Sequence, residues 1–215
     1  MERRAVIFSN GELKNYQTFV RYLKPNDYIV AADGGLKHIL RLRLQPNLVI
    51  GDLDSITSSE EDILKNQKTE ICQFPRDKDE TDLELALQEV YDRGFTTIMI
   101  AAGLGGRLDQ TLGNIFLLLQ PQFNNCHIHF EDGAQEVFLV KDNCEIHGNP
   151  GDLVSLLPLL GTVEGVNTDG LKFPLENSVL YHYKTRGISN ELLGTYAKLS
   201  LKKGSLLCIH ARKEE

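Results

Sequence analysis

The segment VIGDLDS places Asp52 and Asp54 one residue apart at the end of an apolar run. Side chains at i and i+2 of a β-strand share a face, so the two carboxylates are expected to converge on one spot. Carboxylates held together need a shared proton or a bound cation between them. Neither aspartate stands in a good turn position, which favours the cation. A hard cation such as Mg²⁺ takes carboxylate oxygens, keeps several waters and completes its shell with substrate phosphates. The segment GLGGRLD supplies the complementary half. Gly103, Gly105 and Gly106 let backbone N–H groups approach an anion, the helix expected after them adds its positive dipole end, and Arg107 can fork onto phosphate oxygens. Together these residues imply a Mg²⁺–nucleoside triphosphate site and phosphoryl or nucleotidyl transfer. Neither G-x-x-x-x-G-K-[ST] nor G-x-G-x-x-G is present, so the site is of neither standard kind. No activated Ser or Cys nucleophile stands out.

The elements that must carry these residues follow from hydrophobic period. Strands are expected at 5–9, 28–32, 48–51, 70–74, 97–102 and 127–130, with helices near 14–23, 35–43, 59–67, 81–92 and 109–119. Near-continuous β-branched runs alternating with helices indicate a parallel sheet covered on both faces, an α/β arrangement. In such sheets the crevice lies at the carboxyl ends of the strands. Asn10 and Gly11 follow the first strand, Asp33, Gly34 and Gly35 the second, and Asp52 to Ser55 end the third. Arg76 to Asp82 follow the fourth, and Gly103 to Asp109 the fifth. Five successive strands thus deliver glycine or aspartate to one edge. Each loop also has a purely structural reading. Asp33-Gly34 suits a turn, Asp79 with Asp82 suits a helix cap and its acidic third residue, and Asp109 suits a helix dipole.

From about residue 135 the period changes to strand-like runs (EVFLV, LVSLLPL, VLYHYKT, YAKLSL, SLLCIHA) separated by Gly, Pro, Asn and Asp. This reads as a smaller antiparallel β-sandwich or barrel, giving an α/β domain over 1–140 and a β domain over 141–215. The balance of 30 acidic to 23 basic residues, a net −7, argues against nucleic acid or an anionic membrane as partner. Cys72, Cys126, Cys144 and Cys208 form no C-x-x-C pair and are expected to be free thiols in a reducing compartment. The start MERRAVIFSN lacks a signal-peptide core and no apolar run reaches spanning length, so a cytoplasmic protein is expected.

In combination and order, AADGG (31–35), GDLDS (51–55), DKDETDLELAL (77–87), GLGGRLDQTLGN (103–114) and RGISN (186–190) closely resemble the thiamine pyrophosphokinase family. The resemblance spans nearly the whole chain. It implies an α/β catalytic domain followed by a β-sandwich, and transfer of pyrophosphate from ATP to the thiamine hydroxyl, giving thiamine diphosphate and AMP. By position it implies that Asp52, Asp54 and Asp82 hold Mg²⁺, with Asp82 as the proton acceptor, and that Arg107 and Lys78 clamp phosphate. Asn10, Gly11, Asp33, Gly34, Gly103, Gly105, Gly106, Asp109 and Gln110 fall on the ATP side. Asp79, Asn114, Phe173, Ser189 and Asn190 fall on the thiamine side. Phe173 stands where some members carry Trp and keeps a π-face for the cationic ligand; a place in the core is the competing reading for it. The resemblance also implies a homodimer, with thiamine between the catalytic domain of one chain and the β domain of the other. Competing assignments are a pyrophosphokinase for another alcohol such as a hydroxymethylpterin, a D-x-D phosphatase using Asp52 as nucleophile, and a nucleotide-binding module without turnover.

Overall fold

The computed structural model describes residues 3–52 and 57–213; Asp54 lies outside them. The chain divides into two compact units, Met1–Gly133 and Ala134–Glu215.

The first unit alternates strands and helices. β1 (Arg4–Phe8), β2 (Tyr28–Ala32), β3 (Leu48–Gly51), β4 (Glu70–Gln73), β5 (Thr97–Ala101) and β6 (His127–Glu131) form a parallel array in the spatial order β6-β5-β1-β2-β3-β4. Between them run α1 (Tyr16–Phe19), α2 (Leu36–Arg41), α3 (Ser58–Gln67), α4 (Asp82–Asp92) and α5 (Leu108–Leu117). The central strands are apolar on both faces because helices cover both: Ala5, Val6, Ile7 and Phe8 of β1 are all fully buried. One face packs Val6, Phe8, Ile29, Ala31, Val49 and Met99 against Phe19, Leu36, Ile39 and Leu64. α4 lies against β1, β2 and β3, burying Leu83, Ala86, Leu87 and Val90 at helical spacing. The stretch expected as one helix over 14–23 is instead one turn of α-helix followed by a 3-10 turn over Val20–Tyr22.

The second unit is a β-sandwich. One sheet runs β12 (Asn190–Glu191), β9 (Leu153–Pro158), β14 (Leu206–Ala211), β7 (Gln135–Val140). The other runs β11 (Ser178–Leu180), β10 (Val163–Asp169), β13 (Tyr196–Ser200), β8 (Asn143–His147), and all these pairings are antiparallel. Alternate residues of both sheets, among them Ile146, Val154, Leu156, Val166, Leu180, Leu199, Leu206 and Cys208, meet in one core. The units part at Gly133/Ala134 rather than at 140/141, because β7 pairs along its length with β14. β8 and β10 escaped the periodicity reading: their outward positions are polar, and β10 carries a register shift between Val163 and Val166, around Gly165. Conversely, VLYHYKT is strand only to Leu180. All four cysteines are free, and among the described residues no helix is long and apolar enough to cross a membrane.

Candidate active site

The chain leaves β1 toward β2 on one side and later returns to β5 on the other, so strand order reverses at the β1–β5 pair. The crevice beyond their carboxyl ends is where such sheets bind ligands. There the two loops are stitched together: Ser9 N donates to Ala101 O (2.9 Å), Gly11 N to Ala102 O (2.8 Å) and Glu12 N to Leu104 O (3.1 Å). The close approach explains Gly11, where a Cβ would lie 2.5 Å from Ala102 O. Gly34 and Gly103 are required for similar reasons, their Cβ positions falling 2.5 Å from Asn10 Oδ1 and 2.7 Å from the Phe130 ring. Gly105 (φ 83°) sits over Glu12, whereas Gly106 (φ 68°) has open space around it. Most of these glycines therefore serve the loop's own packing, and Gly106 is the one whose missing side chain leaves room. α5 braces the loop from behind, with Asn114 Nδ2 donating to Gly103 O (2.7 Å) and Thr111 Oγ1 to Gly105 O (3.3 Å). Ala102 (φ 53°) and Asp33 (φ 47°) hold left-handed backbone, a strain that concentrates at functional loops.

The acidic residues arrive from three strand ends. Asn10 Nδ2 reaches Asp33 Oδ2 (3.5 Å), and Gly51 packs so closely on Asp33 that a Cβ there would lie 3.3 Å from its Cα. Asp52 follows immediately, half-buried, with its carbonyl accepting from Gln73 Nε2 (3.3 Å). β3 ends at Gly51, so Asp52 is placed by a loop and not by the strand face that its spacing to Asp54 implied. α4 must cross from edge strand β4 back over β3, β2 and β1, which sets its first residue, Asp82, on the carboxyl side of the sheet. Its cap is Thr81, whose hydroxyl accepts from Glu84 N (3.2 Å). The reading of Asp79 as the cap is thereby corrected, and Asp79 is exposed. Lys78 Nζ lies 2.8 Å from Asp82 Oδ1, yet that oxygen is shielded from solvent and makes no aligned hydrogen bond. Among the described residues no group of three or more His, Cys, Asp or Glu side chains is arranged to hold a metal.

At the start of α5, Arg107 forks onto Asp109 with Nε–Oδ1 at 3.1 Å and Nη2–Oδ2 at 2.5 Å, and Gln110 N adds a third bond to Oδ1 (2.9 Å). Hydrogen bonding to Arg107, then to the Gln110 amide, holds the Asp109 carboxyl below its ordinary range. Both side chains and Gln110 are exposed. Tyr16, Lys37 and His38 also belong to this edge but stood outside the polar loops that the sequence offered. His38 is buried, with its Nδ1 2.5 Å from Tyr16 Oη and its Nε2 3.2 Å from Gly11 O. Burial, and then the charge of Lys37, keep its pKa low, so the imidazole is neutral with Nε2–H donating to Gly11. Lys37 Nζ donates to Asn10 Oδ1 (2.6 Å) and to Asn10 O (3.3 Å).

In the second unit, Asn190 is buried and its amide is spent on the backbone of the Phe173 loop. Oδ1 accepts from Phe173 N (2.9 Å) and Glu191 N (3.0 Å), while Nδ2 donates to Phe173 O (2.7 Å). Phe173 itself is 61% exposed, which removes the core reading. Lys172 stands over its ring at 5.7 Å and pairs with Glu191 at 2.9 Å. Ser189 is exposed in left-handed backbone (φ 58°), anchored by its N–H to Ser155 Oγ (3.0 Å).

The catalytic-domain model of thiamin pyrophosphokinase matches residues 19–130, more than half of the chain, and the vitamin B1 binding domain model of the same enzyme matches residues 142–206. The chain belongs to the thiamin pyrophosphokinase family. Relatives include the thiamine pyrophosphokinase of Bacillus subtilis (strain 168), 29% identical over 184 residues that cover 85% of this chain and 86% of that protein. Thiamin pyrophosphokinase 1 of Caenorhabditis elegans is 26% identical over 193 residues, covering 84% and 76%. Among solved structures, the B. subtilis thiamine pyrophosphokinase superposes with a TM-score of 0.88 at 27% identity, covering 99% of this chain and 100% of that one. The Geobacillus thermodenitrificans thiamin pyrophosphokinase gives 0.83 at 25%, covering 99% of each. In family terms, Asp33, Asp52, Asp82 and the Gly103–Asn114 segment fall in the catalytic domain, and Phe173, Ser189 and Asn190 in the vitamin B1 binding domain.

Proposed function

We propose that this chain transfers a pyrophosphoryl group from ATP to the hydroxyl of thiamine, giving thiamine diphosphate and AMP. The observation that carries the reading is the gathering of Asp33, Asp52, Asp82, the Gly103–Gly106 loop and basic side chains at one carboxyl edge of a parallel sheet, in a chain of this family.

Pyrophosphoryl transfer asks a protein chiefly to position two substrates and to neutralise phosphate charge. The thiamine oxygen bonds to the β-phosphorus, the bond from that phosphorus to the oxygen bridging it to the α-phosphorus breaks, and AMP leaves with that oxygen. The hydroxyl proton passes to a carboxylate, for which Asp82 is the choice. Mg²⁺ suits the donors present: Asp82 Oδ1 is a shielded carboxylate oxygen that faces the Lys78 ammonium without an aligned hydrogen bond, and Asp52 is a second, half-buried acidic residue. Asp52 and Asp82, with Asp54 from the sequence, would hold it. When bound, the ion supplies positive charge to the triphosphate. Lys78 and Arg107 clamp phosphate by exchanging Asp82 and Asp109 for phosphate oxygens, and the open backbone at Gly106 receives the same anion. Asn10, Gly11, Gly34, Gly103, Gly105 and Asn114 act by shaping the crevice, with Asp33, Asp109 and Gln110 at its rim. Phe173 offers its exposed ring to thiamine, Ser189 its hydroxyl and Asp79 its carboxylate, while Asn190 positions Phe173. We further propose a homodimeric, cytoplasmic enzyme, on family grounds.

Incubation with ATP, Mg²⁺ and thiamine tests the reading by chromatography. Thiamine diphosphate and AMP in equal amounts are expected. ADP with thiamine monophosphate, or conversion of a pterin alcohol with thiamine untouched, would refute it.

A further inference from the structure

Lys78, Arg107 and Lys37 stand at the carboxyl edge of the sheet, and they differ in what they hold. Lys78 is paired with Asp82 at 2.8 Å, and Arg107 with Asp109 at 2.5 Å. Among the described residues, Lys37 bonds neutral oxygens, the side-chain and backbone carbonyls of Asn10. No carboxylate among the described residues contacts its ammonium, which is held at a loop that the Gly11–Ala102 hydrogen bond fixes directly onto the β1–β5 crevice. Neighbouring groups keep it there. His38, the next residue, is neutral and braces the same loop through Gly11 O. Gly34 presses against Asn10 so closely that no side chain would fit, and Asn10 in turn bridges Lys37 to Asp33 through its amide.

An anion that approaches Lys78 or Arg107 meets a carboxylate already neutralising the cation and repelling the newcomer. To use Lys37 it need only replace a neutral carbonyl by a phosphate oxygen, which turns an ordinary hydrogen bond into a charge-assisted one. We infer that Lys37 is a phosphate-binding residue of the nucleotide site, the cation presented to the triphosphate before the paired cations rearrange. The inference rests on the proposed function for the identity of the anion, not for the geometry.

The test compares wild-type chain with Lys37→Gln, which keeps a donor for Asn10 but removes the charge, and with Lys37→Arg. Calorimetry with Mg²⁺·ATP and with adenosine reads the phosphate and nucleoside contributions separately, and steady-state assays give KM and kcat. Lys37→Gln is expected to weaken Mg²⁺·ATP binding about tenfold or more, raising its KM more than it lowers kcat, with adenosine binding and the thermal midpoint unchanged. Lys37→Arg is expected to recover most of the affinity. Unchanged Mg²⁺·ATP affinity in Lys37→Gln would overturn the inference. Equal weakening of ATP and adenosine would overturn it too, since that is the mark of a residue that merely holds Asn10. A wild-type chain that makes no thiamine diphosphate but loses Mg²⁺·ATP affinity on Lys37→Gln would remove the acceptor and leave Lys37 in place. A wild-type chain that binds no Mg²⁺·ATP would overturn both.

Discussion

The carboxyl edge of the parallel sheet and the Phe173 loop of the β-sandwich place functional side chains by different means. At the sheet edge, chain topology does the work: a residue just after a buried strand falls at the crevice whatever its own side chain bonds to. Charged groups there are held in reserve by one another, as Lys78 is by Asp82 and Arg107 by Asp109. In the Phe173 loop no strand end aims the ring. A single buried amide, Asn190, grips the Phe173 N–H and carbonyl and holds an exposed aromatic out toward solvent. The first design tolerates loss of a charge in folding and fails in chemistry. The second couples folding and ligand binding in one residue.

Substitutions can break that contrast. The largest effect is expected at the sheet edge: Asp52→Asn and Asp82→Asn should each lower turnover by more than about tenfold with an unchanged circular dichroism spectrum, because each removes charge from the metal–triphosphate region without uncapping a helix. Near-normal kcat in both would separate these aspartates from the chemistry. Next is Asn190→Ala, which strands the part-buried backbone groups of residues 173 and 191 and should cost about 1 kcal/mol in denaturant unfolding, together with a raised KM for thiamine. Phe173→Leu sharpens the comparison. Its exposed ring should leave stability nearly unaltered while still raising that KM severalfold, and equal stability losses in the two variants would show the ring to be a packing element.

A pH-dependent effect separates the units further. His38 has its pKa lowered from 6.5 by burial, so its folded form prefers to be neutral. Its contribution to stability is present above the unfolded value and is lost as pH falls below about 6.5 toward the folded one. In the other unit, burial opposes the charge of Asp152, but hydrogen bonds from the Lys213 and Asn149 amides and from His210 hold its carboxyl below 3.8. That contribution persists above pH 3.8 and is lost only as pH falls through the lower folded value. Unfolding followed between pH 7 and pH 5 should therefore weaken wild-type chain more than His38→Gln, and parallel pH profiles would contradict the assignment. The smallest effect is expected for Asp109→Asn: the pair it breaks is fully exposed, and the thermal midpoint should move by less than about 1 °C.

How much of this was legible in the sequence follows from the same contrast. The six parallel strands fall at or within a residue of their expected ends because, exposed edge strand β4 apart, buried apolar runs bounded by polar loops have few other solutions. Aspartates and glycines in those loops were visible for the same reason. What the sequence could not carry was the use of each residue. Gly103 read as part of an anion cradle, and Gly11 and Gly34 as positions on the ATP side, but all three are demanded by the protein's own backbone and side chains. Asn114 and Asn190 read as ligand contacts but spend their amides on loops. Lys37 and His38 lie inside the apolar-looking stretch LKHIL, and only the fold brings them to Asn10 and Gly11. The half-polar strands β8 and β10 were invisible because cross-strand pairing, not hydrophobic alternation, keeps them in place.

The central claim is attack at the β-phosphorus, and the most direct measurement follows that atom. With ATP labelled at the β-phosphorus, thiamine and Mg²⁺, the account predicts that the label appears in thiamine diphosphate, on the phosphorus esterified to thiamine, and that AMP carries none. Label retained in ADP beside unlabelled thiamine monophosphate would contradict it.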